Sequence, residues 1–214
     1  MSVNARVRPL LPKGRATRQR ILDCAIEAVA EIGYTNTTTQ IILDRSGLSR
    51  GSLLHQFSTR TDLMVTVAET AMAKMLSSIG SRMSVAGDDL DGLYRYPQIF
   101  WETLIEPPAL AFYELQMASR WDLDLQAGLK DQIARVETYI AETIGAIARR
   151  YQMTDLDGYI VHLGIITDAL PSLAARRALT SDPGRIDAER AVLEQWHHEG
   201  LSRRLPSRHR RSLD

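Results

Sequence analysis

Cysteine is nearly absent from this chain of 214 residues, where Cys24 stands alone. An intrachain disulfide is therefore impossible, and the paired-cysteine signatures of zinc and redox sites are excluded. Aromatic residues are sparse, at 6 %. No uninterrupted apolar run approaches the roughly 18 residues of a membrane-spanning helix. The basic opening MSVNARVRPLLPKGRATRQR leads into no signal-type apolar core. A cytoplasmic protein with no membrane partner is expected. Strand signals are missing too, with no sustained period-two alternation and no Asn-Gly or Asp-Gly between β-branched runs. No His-Glu-x-x-His and no glycine-rich phosphate loop occurs, so neither an enzyme nor a cofactor is expected. His197, His198 and His209 sit in polar sequence without the further ligands a metal site needs, and no metal site is expected.

What is present reads as helix. Cys24 falls among Ile21, Leu22, Ala25, Ile26 and Val29, the inner face of a helix from about Arg15 to Gly33. A small core residue is the expected role there, rather than a redox thiol. Thr37-Thr38-Thr39-Gln40 fits a capping box, with Thr37 as cap, for a short helix ending near Ser46-Gly47. Ser49 can cap a third helix from Arg50 to about Gln56, and Ser58 or Thr59 a fourth running towards Met83. Gly87-Asp88-Asp89 interrupts the chain. Further helices are expected at about Leu90–Ile105, Ala109–Arg120, Leu125–Tyr151, Leu156–Ala178 and from Asp182-Pro183 to about Gly200. The fold class is all-α.

The net charge of zero hides an asymmetry. Residues 1–60 carry nine Lys/Arg against four Asp/Glu, while residues 61–195 carry twelve against twenty. A basic head on an acidic body fits a head that meets a polyanion, though an uneven solvated surface would look the same. Within that head, Ser46-Gly47-Leu48-Ser49 joins two short helices as the sharp turn of a helix-turn-helix does.

From Thr17 to Leu63 the chain reads TRQRILDCAIEAVAEIGYTNTTTQIILDRSGLSRGSLLHQFSTRTDL. This stretch resembles the DNA-binding domain of the tetracycline-repressor (TetR) family. The resemblance is carried by Arg20-Ile21-Leu22 with Ala25, the Gly33-Tyr34 corner and Thr37-Thr38. Ile42, Gly47 through Leu53, His55-x-Phe57 and Leu63 continue it. Leu54 stands where the family usually has a tyrosine that reaches a phosphate, Arg60 where a lysine is usual, and Leu43 where a small residue is common. Val29 and Ile32 also depart from the usual pattern.

The resemblance implies four segments: a basic flexible arm (1–14), a three-helix DNA-binding domain (15–60), a helical ligand-binding and dimerisation domain (61–200) and a disordered basic tail (201–214). It places the third helix in the major groove of operator DNA. Thr38 and Arg60 then touch phosphates, Ser49 caps the groove-entering helix within the DNA-binding set, and Arg50 meets a guanine or a phosphate. Ser52 and His55 reach base edges or phosphates, Gly51 permits close approach, and Gln40 either touches the duplex or caps. A homodimer is implied, through the two last helices, with Tyr159, Ile160, Leu163, Ile166, Leu170, Val192 and Trp196 at the interface or, alternatively, in the monomer core. Trp101, Tyr113, Met117 and His162 are candidates for contact with a small-molecule effector, though for His162 a satisfied interface role is the stronger reading. The implied function is a ligand-responsive regulator, a repressor released from a palindromic operator by a small apolar or amphipathic molecule. The competing reading is a helical ligand- or protein-binding module whose DNA binding is weakened or lost.

Overall fold

A computed structural model of the protein describes residues 12–210. Most of the expected basic arm (1–11) and the last four residues of the tail lie outside the described residues. Among the described residues ten α-helices and one 3-10 turn follow one another without a strand. The head is built from α1 (Pro12–Asn36), α2 (Thr39–Ser46) and α3 (Arg50–Gln56). The body comprises α4 (Arg60–Val85), α5 (Asp89–Tyr94), α6 (Tyr96–Thr103), α7 (Pro107–Ala118), α8 (Leu123–Tyr151), α9 (Leu156–Arg177) and α10 (Pro183–Arg204). Because α1 starts at Pro12, the last residues of the expected arm are helical.

Ile21, Leu22, Ala25, Ile26 and Val29 form the inward stripe of α1, none more than 4 % exposed. Gly33 breaks this helix at φ 80° and ψ 165°, a backbone state open to glycine at little cost. The bend lets one more turn follow. Thr37 then closes α1 instead of opening α2: its amide and its hydroxyl both donate to the Gly33 carbonyl, at 3.2 and 2.7 Å. The cap of α2 is therefore Thr38, whose hydroxyl accepts the Ile41 amide. Gln40 does not reach back either; its amide donates to Asp44 at 2.8 Å. Gly47, at φ 64°, ends α2, and Ser49 caps α3 by accepting the Ser52 amide. Thr59 caps α4, whose Asp62 returns a bond to the Ser58 amide, so both ends of that turn are satisfied.

Twenty-six residues make α4 about 39 Å long. Its Leu63, Met64, Val67, Ala71 and Met75 share one continuous hydrophobic core with α1, α7 and α9. Head and body thus divide by topology and not by separate cores. On another side of α4, a Cβ placed on Gly128 would lie 2.4 Å from Val65 Cγ2, so glycine is what permits α8 to approach so closely.

The single helix expected over Leu90–Ile105 is two. Pro97 in the first turn of α6 lacks an amide hydrogen to continue the ladder from α5, and Arg95 adopts φ −88°, ψ 0° between them. The tail also departs from expectation. From Leu201 the chain stays helical through Arg204, and Leu201 and Leu205 are 0 and 2 % exposed. They complete a second apolar cluster with Leu90, Leu93, Ile144 and Tyr159, and the Arg204 carbonyl accepts the Thr154 amide at 2.9 Å. His197 is in this cluster as well, fully buried rather than in a polar tail.

Candidate nucleic-acid interface and effector cleft

The helix-turn-helix faces outward along one side of α3. Leu53 and Phe57 anchor the helix, 4 and 1 % exposed. Arg18 stacks on the Phe57 ring at 4.2 Å and donates to the Gln56 carbonyl at 2.9 Å, pinning the helix end to α1. Arg50, Gly51, Leu54 and His55 are exposed on the opposite side. A Cβ at Gly51 would meet only Ser49 Oγ, at 3.9 Å, so this face has open space at its centre. Ser52 is half-buried and pairs with the Ser49 hydroxyl at 3.0 Å. The exposed Thr38 and Gln40 lie at the start of α2, beside amides that have no intrahelical acceptor.

The stretch Gly47-Leu48-Ser49-Arg50-Gly51 spells the Gly-x-Ser-x-Gly of a hydrolase nucleophile turn. Here it joins helix to helix, and Ser49 is engaged in capping α3. The strand-to-helix elbow that exposes such a serine is not built.

Arg60, the candidate for a phosphate contact, is engaged within the protein. Its guanidinium lies 4.1 Å over the Tyr34 ring and donates to the Tyr34 carbonyl at 2.8 Å and the Thr37 carbonyl at 3.5 Å. It binds the α1–α2 corner to α4 from inside the protein. That corner is also tied to the body. The Tyr34 amide donates to Glu114 on α7 at 2.9 Å, and the Tyr34 hydroxyl donates to Asp122 at 2.5 Å. Asp122 in turn caps α8 by accepting the Leu125 amide. The Tyr34 and Leu125 bonds hold the Asp122 carboxyl below the usual carboxylate range. Burial, then the Asp122 bond, pushes the Tyr34 phenol up. No motif points to this cluster, because its members lie 80 and 88 residues apart.

Cys24 is half-buried, and burial followed by the Glu27 carboxylate pushes its thiol up. That is the opposite of an activated thiolate.

The four effector candidates do not converge. Met117 is 56 % exposed. Trp101 is half-buried beneath the Arg190 guanidinium at 5.2 Å, and Tyr113 packs edge-on against Phe112. His162 is buried between α9 and α10, its ring 4.1 Å from that of Trp196. An open cleft of about 380 Å³ lies elsewhere, between α4 and α8, lined by Glu69, Leu76, Gln132, Arg135, Val136 and Tyr139. Gln132 is 8 % exposed, and its Oε1 has no hydrogen-bond partner there. Arg135 and Glu69 face each other at 3.7 Å.

The interface candidates split by helical face. Tyr159, Leu163, Ile166 and Leu170 recur every three to four residues on the inward side of α9 and are core, at most 7 % exposed. Ile160 is half-buried. The outward side carries Val161 and Ile165, 64 and 49 % exposed, and α10, which packs on α9, exposes Val192 and Trp196 at 66 and 38 %. Sequence reading missed Val161 and Ile165, which stand between the exposed Asp157 and Asp168 on the outer side of α9. Its best 18-residue window has mean hydropathy 1.3, yet only 33 % of that window is buried.

A head of three helices presenting α3, on a helical body that leaves apolar side chains of α9 and α10 exposed, defines a helix-turn-helix DNA-binding protein. Residues 21–67 match the family model described as "Bacterial regulatory proteins, tetR family". An HTH-type transcriptional repressor of Mycobacterium tuberculosis, Rv1474c, is 26 % identical over 185 residues, covering 84 % of this chain and 91 % of that protein. An uncharacterized HTH-type transcriptional regulator of Mycobacterium bovis, Mb2936c, is 22 % identical over 78 % of this chain and 85 % of its own length. A TetR-family regulator structure from Rhodococcus sp. shares the fold with TM-score 0.70 at 18 % identity, over 88 % of this chain and all of that one. The multidrug binding protein EbrR, crystallised with imidazole, aligns with TM-score 0.56 at 22 % identity, over 88 % of this chain and 94 % of its own. Residues 21–67 thus match the DNA-binding domain of tetR-family regulators, and the chain shares its fold with solved structures of that family.

Proposed function

We propose that this regulator is a cytoplasmic homodimeric repressor that occupies a palindromic operator and leaves it when a small amphipathic molecule enters the body. The observation that carries this reading is the outward face of α3, where Arg50 and His55 are exposed around an open glycine on a helix capped and anchored at both ends. A guanidinium so placed can bond guanine O6 and N7 together. One such helix covers only a few base pairs, so a twofold dimer presenting two of them about 34–36 Å apart is the economical reader. The exposed Val161 and Ile165 of α9 and Val192 and Trp196 of α10 supply apolar surface for the second copy, and α9 with α10 doubled makes a four-helix bundle.

The effector site is the α4–α8 cleft, whose lining offers both apolar surface and hydrogen-bonding groups. Its two walls are also the two routes to the head. α4 continues directly into the helix-turn-helix, and α8 begins at Asp122, which holds Tyr34. A ligand that favours a wider separation of α4 and α8 shifts the population towards heads that are mis-spaced for DNA. The repressor name of the mycobacterial relative and the multidrug title of EbrR support this direction of response.

Titration of a selected operator duplex tests the reading. Arg50→Ala is expected to weaken specific binding by about 1–3 kcal/mol, the worth of a bidentate base contact. Light scattering at micromolar protein is expected to return twice the mass of one chain. Unchanged operator affinity of the variant would remove the Arg50 role, and a monomeric mass would overturn the dimer.

A further inference from the structure

We propose that Leu54 reads the 5-methyl group of a thymine in the major groove and so sets part of the operator sequence. The assignment rests on the reading of α3 as the groove-entering helix. Successive residues of α3 part company at this point: Leu53 is 4 % exposed in the core and Leu54 is 55 % exposed. Arg50 precedes Leu54 by one helical turn on the same outward side, and His55 follows it, exposed. The open space over Gly51 gives a base-pair edge room to come down beside the leucine.

Leucine has neither donor nor acceptor, so it gains nothing from a phosphate or from the polar base edges of the groove. The apolar group that the major groove offers is the thymine methyl. Burying an exposed leucine against that methyl removes apolar surface of both partners from water, whereas cytosine at the same place leaves a polar edge against hydrocarbon. Geometry adds a register. Four residues of helix rise about 6 Å, close to two base-pair steps of about 3.4 Å. A guanine met by Arg50 and a thymine met by Leu54 should then stand roughly two steps apart.

Duplexes retained by the purified full-length protein from a random-sequence pool provide the probe. Each thymine of the retained site is replaced singly by deoxyuridine, which removes one methyl and nothing else. One thymine per half-site is expected to be sensitive, with binding about fourfold weaker on loss of a single methyl-sized contact and about fifteenfold weaker when both half-sites are changed. In Leu54→Ala, whose truncated side chain is already half in solvent, the same replacement is expected to leave affinity unchanged while the thermal midpoint stays at the parent value. Full tolerance of uracil at every position, a retained site without thymine, or methyl sensitivity that persists in Leu54→Ala would each overturn the assignment while leaving the DNA-binding reading intact. Failure to retain any duplex would overturn that reading and this assignment together.

Discussion

Acid should weaken this fold through one histidine. His197 is fully buried between α9, α6 and α5, facing Tyr159, His162 and Tyr96, with His198 beside it in sequence. Its Nε2 lies 2.8 Å from the Leu93 carbonyl, and Nδ1 is buried with no partner. The neutral ring with its proton on Nε2 satisfies that carbonyl. Adding a second proton would strand a charge in an apolar cluster, so burial pushes the imidazole down from 6.5 to about 4, with the neighbouring histidines adding to the effect and the Leu93 bond opposing it. The unfolded chain takes up the proton as pH falls through 6.5, whereas the folded chain does so only near 4. Between those values the unfolded state binds more protons, so stability is full above about pH 7 and declines on acidification. At about 1.4 kcal/mol per pH unit, the loss attributable to His197 is about 2 kcal/mol between pH 7.5 and 5. Against a total of roughly 5–15 kcal/mol this is a large fraction. Urea unfolding at pH 7.5, 6 and 5, at one fixed protein concentration, reads it. His197→Gln keeps a donor for Leu93 but does not titrate, so its stability should fall by about 2 kcal/mol less than the parent's over that range. His162, also lowered by burial, leaves a smaller slope of the same sign in both proteins. Parallel pH dependences in the two would refute the reasoning.

Tyr34→Phe removes the bond from the α1–α2 corner to Asp122 while keeping the ring beneath Arg60. A loss of about 0.5–1.5 kcal/mol is expected in denaturant titration, the usual net value of one hydrogen bond. Gly128→Ala sets two effects against each other: overpacking against the stiff Val65 costs about 1–3 kcal/mol, and better helix propensity returns about 1. A net destabilisation is expected, with Val65→Ala in the same chain relieving it. A Gly128→Ala protein more stable than the parent would show that α8 does not need that approach. Ser49→Ala should cost about 1 kcal/mol through the lost cap of α3, measurable as a lower thermal midpoint.

The DNA-binding head was legible because its determinants are local. Ser49, Gly47 and the inward hydrophobes of α1 act within one turn or one helix of themselves, so their spacing states what they do. Where two nearby residues compete for the same job the reading slipped, as at Thr37 and Thr38, since only the Gly33 bend shows which hydroxyl is already engaged. At Arg60 the sequence position suggests a phosphate anchor, and only the tertiary structure adds that the Tyr34 ring and carbonyl hold the same guanidinium.

Sequence by itself determined the all-helical class and the helix-turn-helix, because helix caps, glycine stops and a 3.6-residue period are encoded along a single short stretch. Only the tertiary structure decided that Tyr34 holds Asp122, that the cleft opens between α4 and α8 and that Val161 and Ile165 are the uncovered side of α9. The first two join residues tens of positions apart. The third concerns a helix with apolar residues on its outer as well as its inner side, where periodicity alone does not say which of them meet the core.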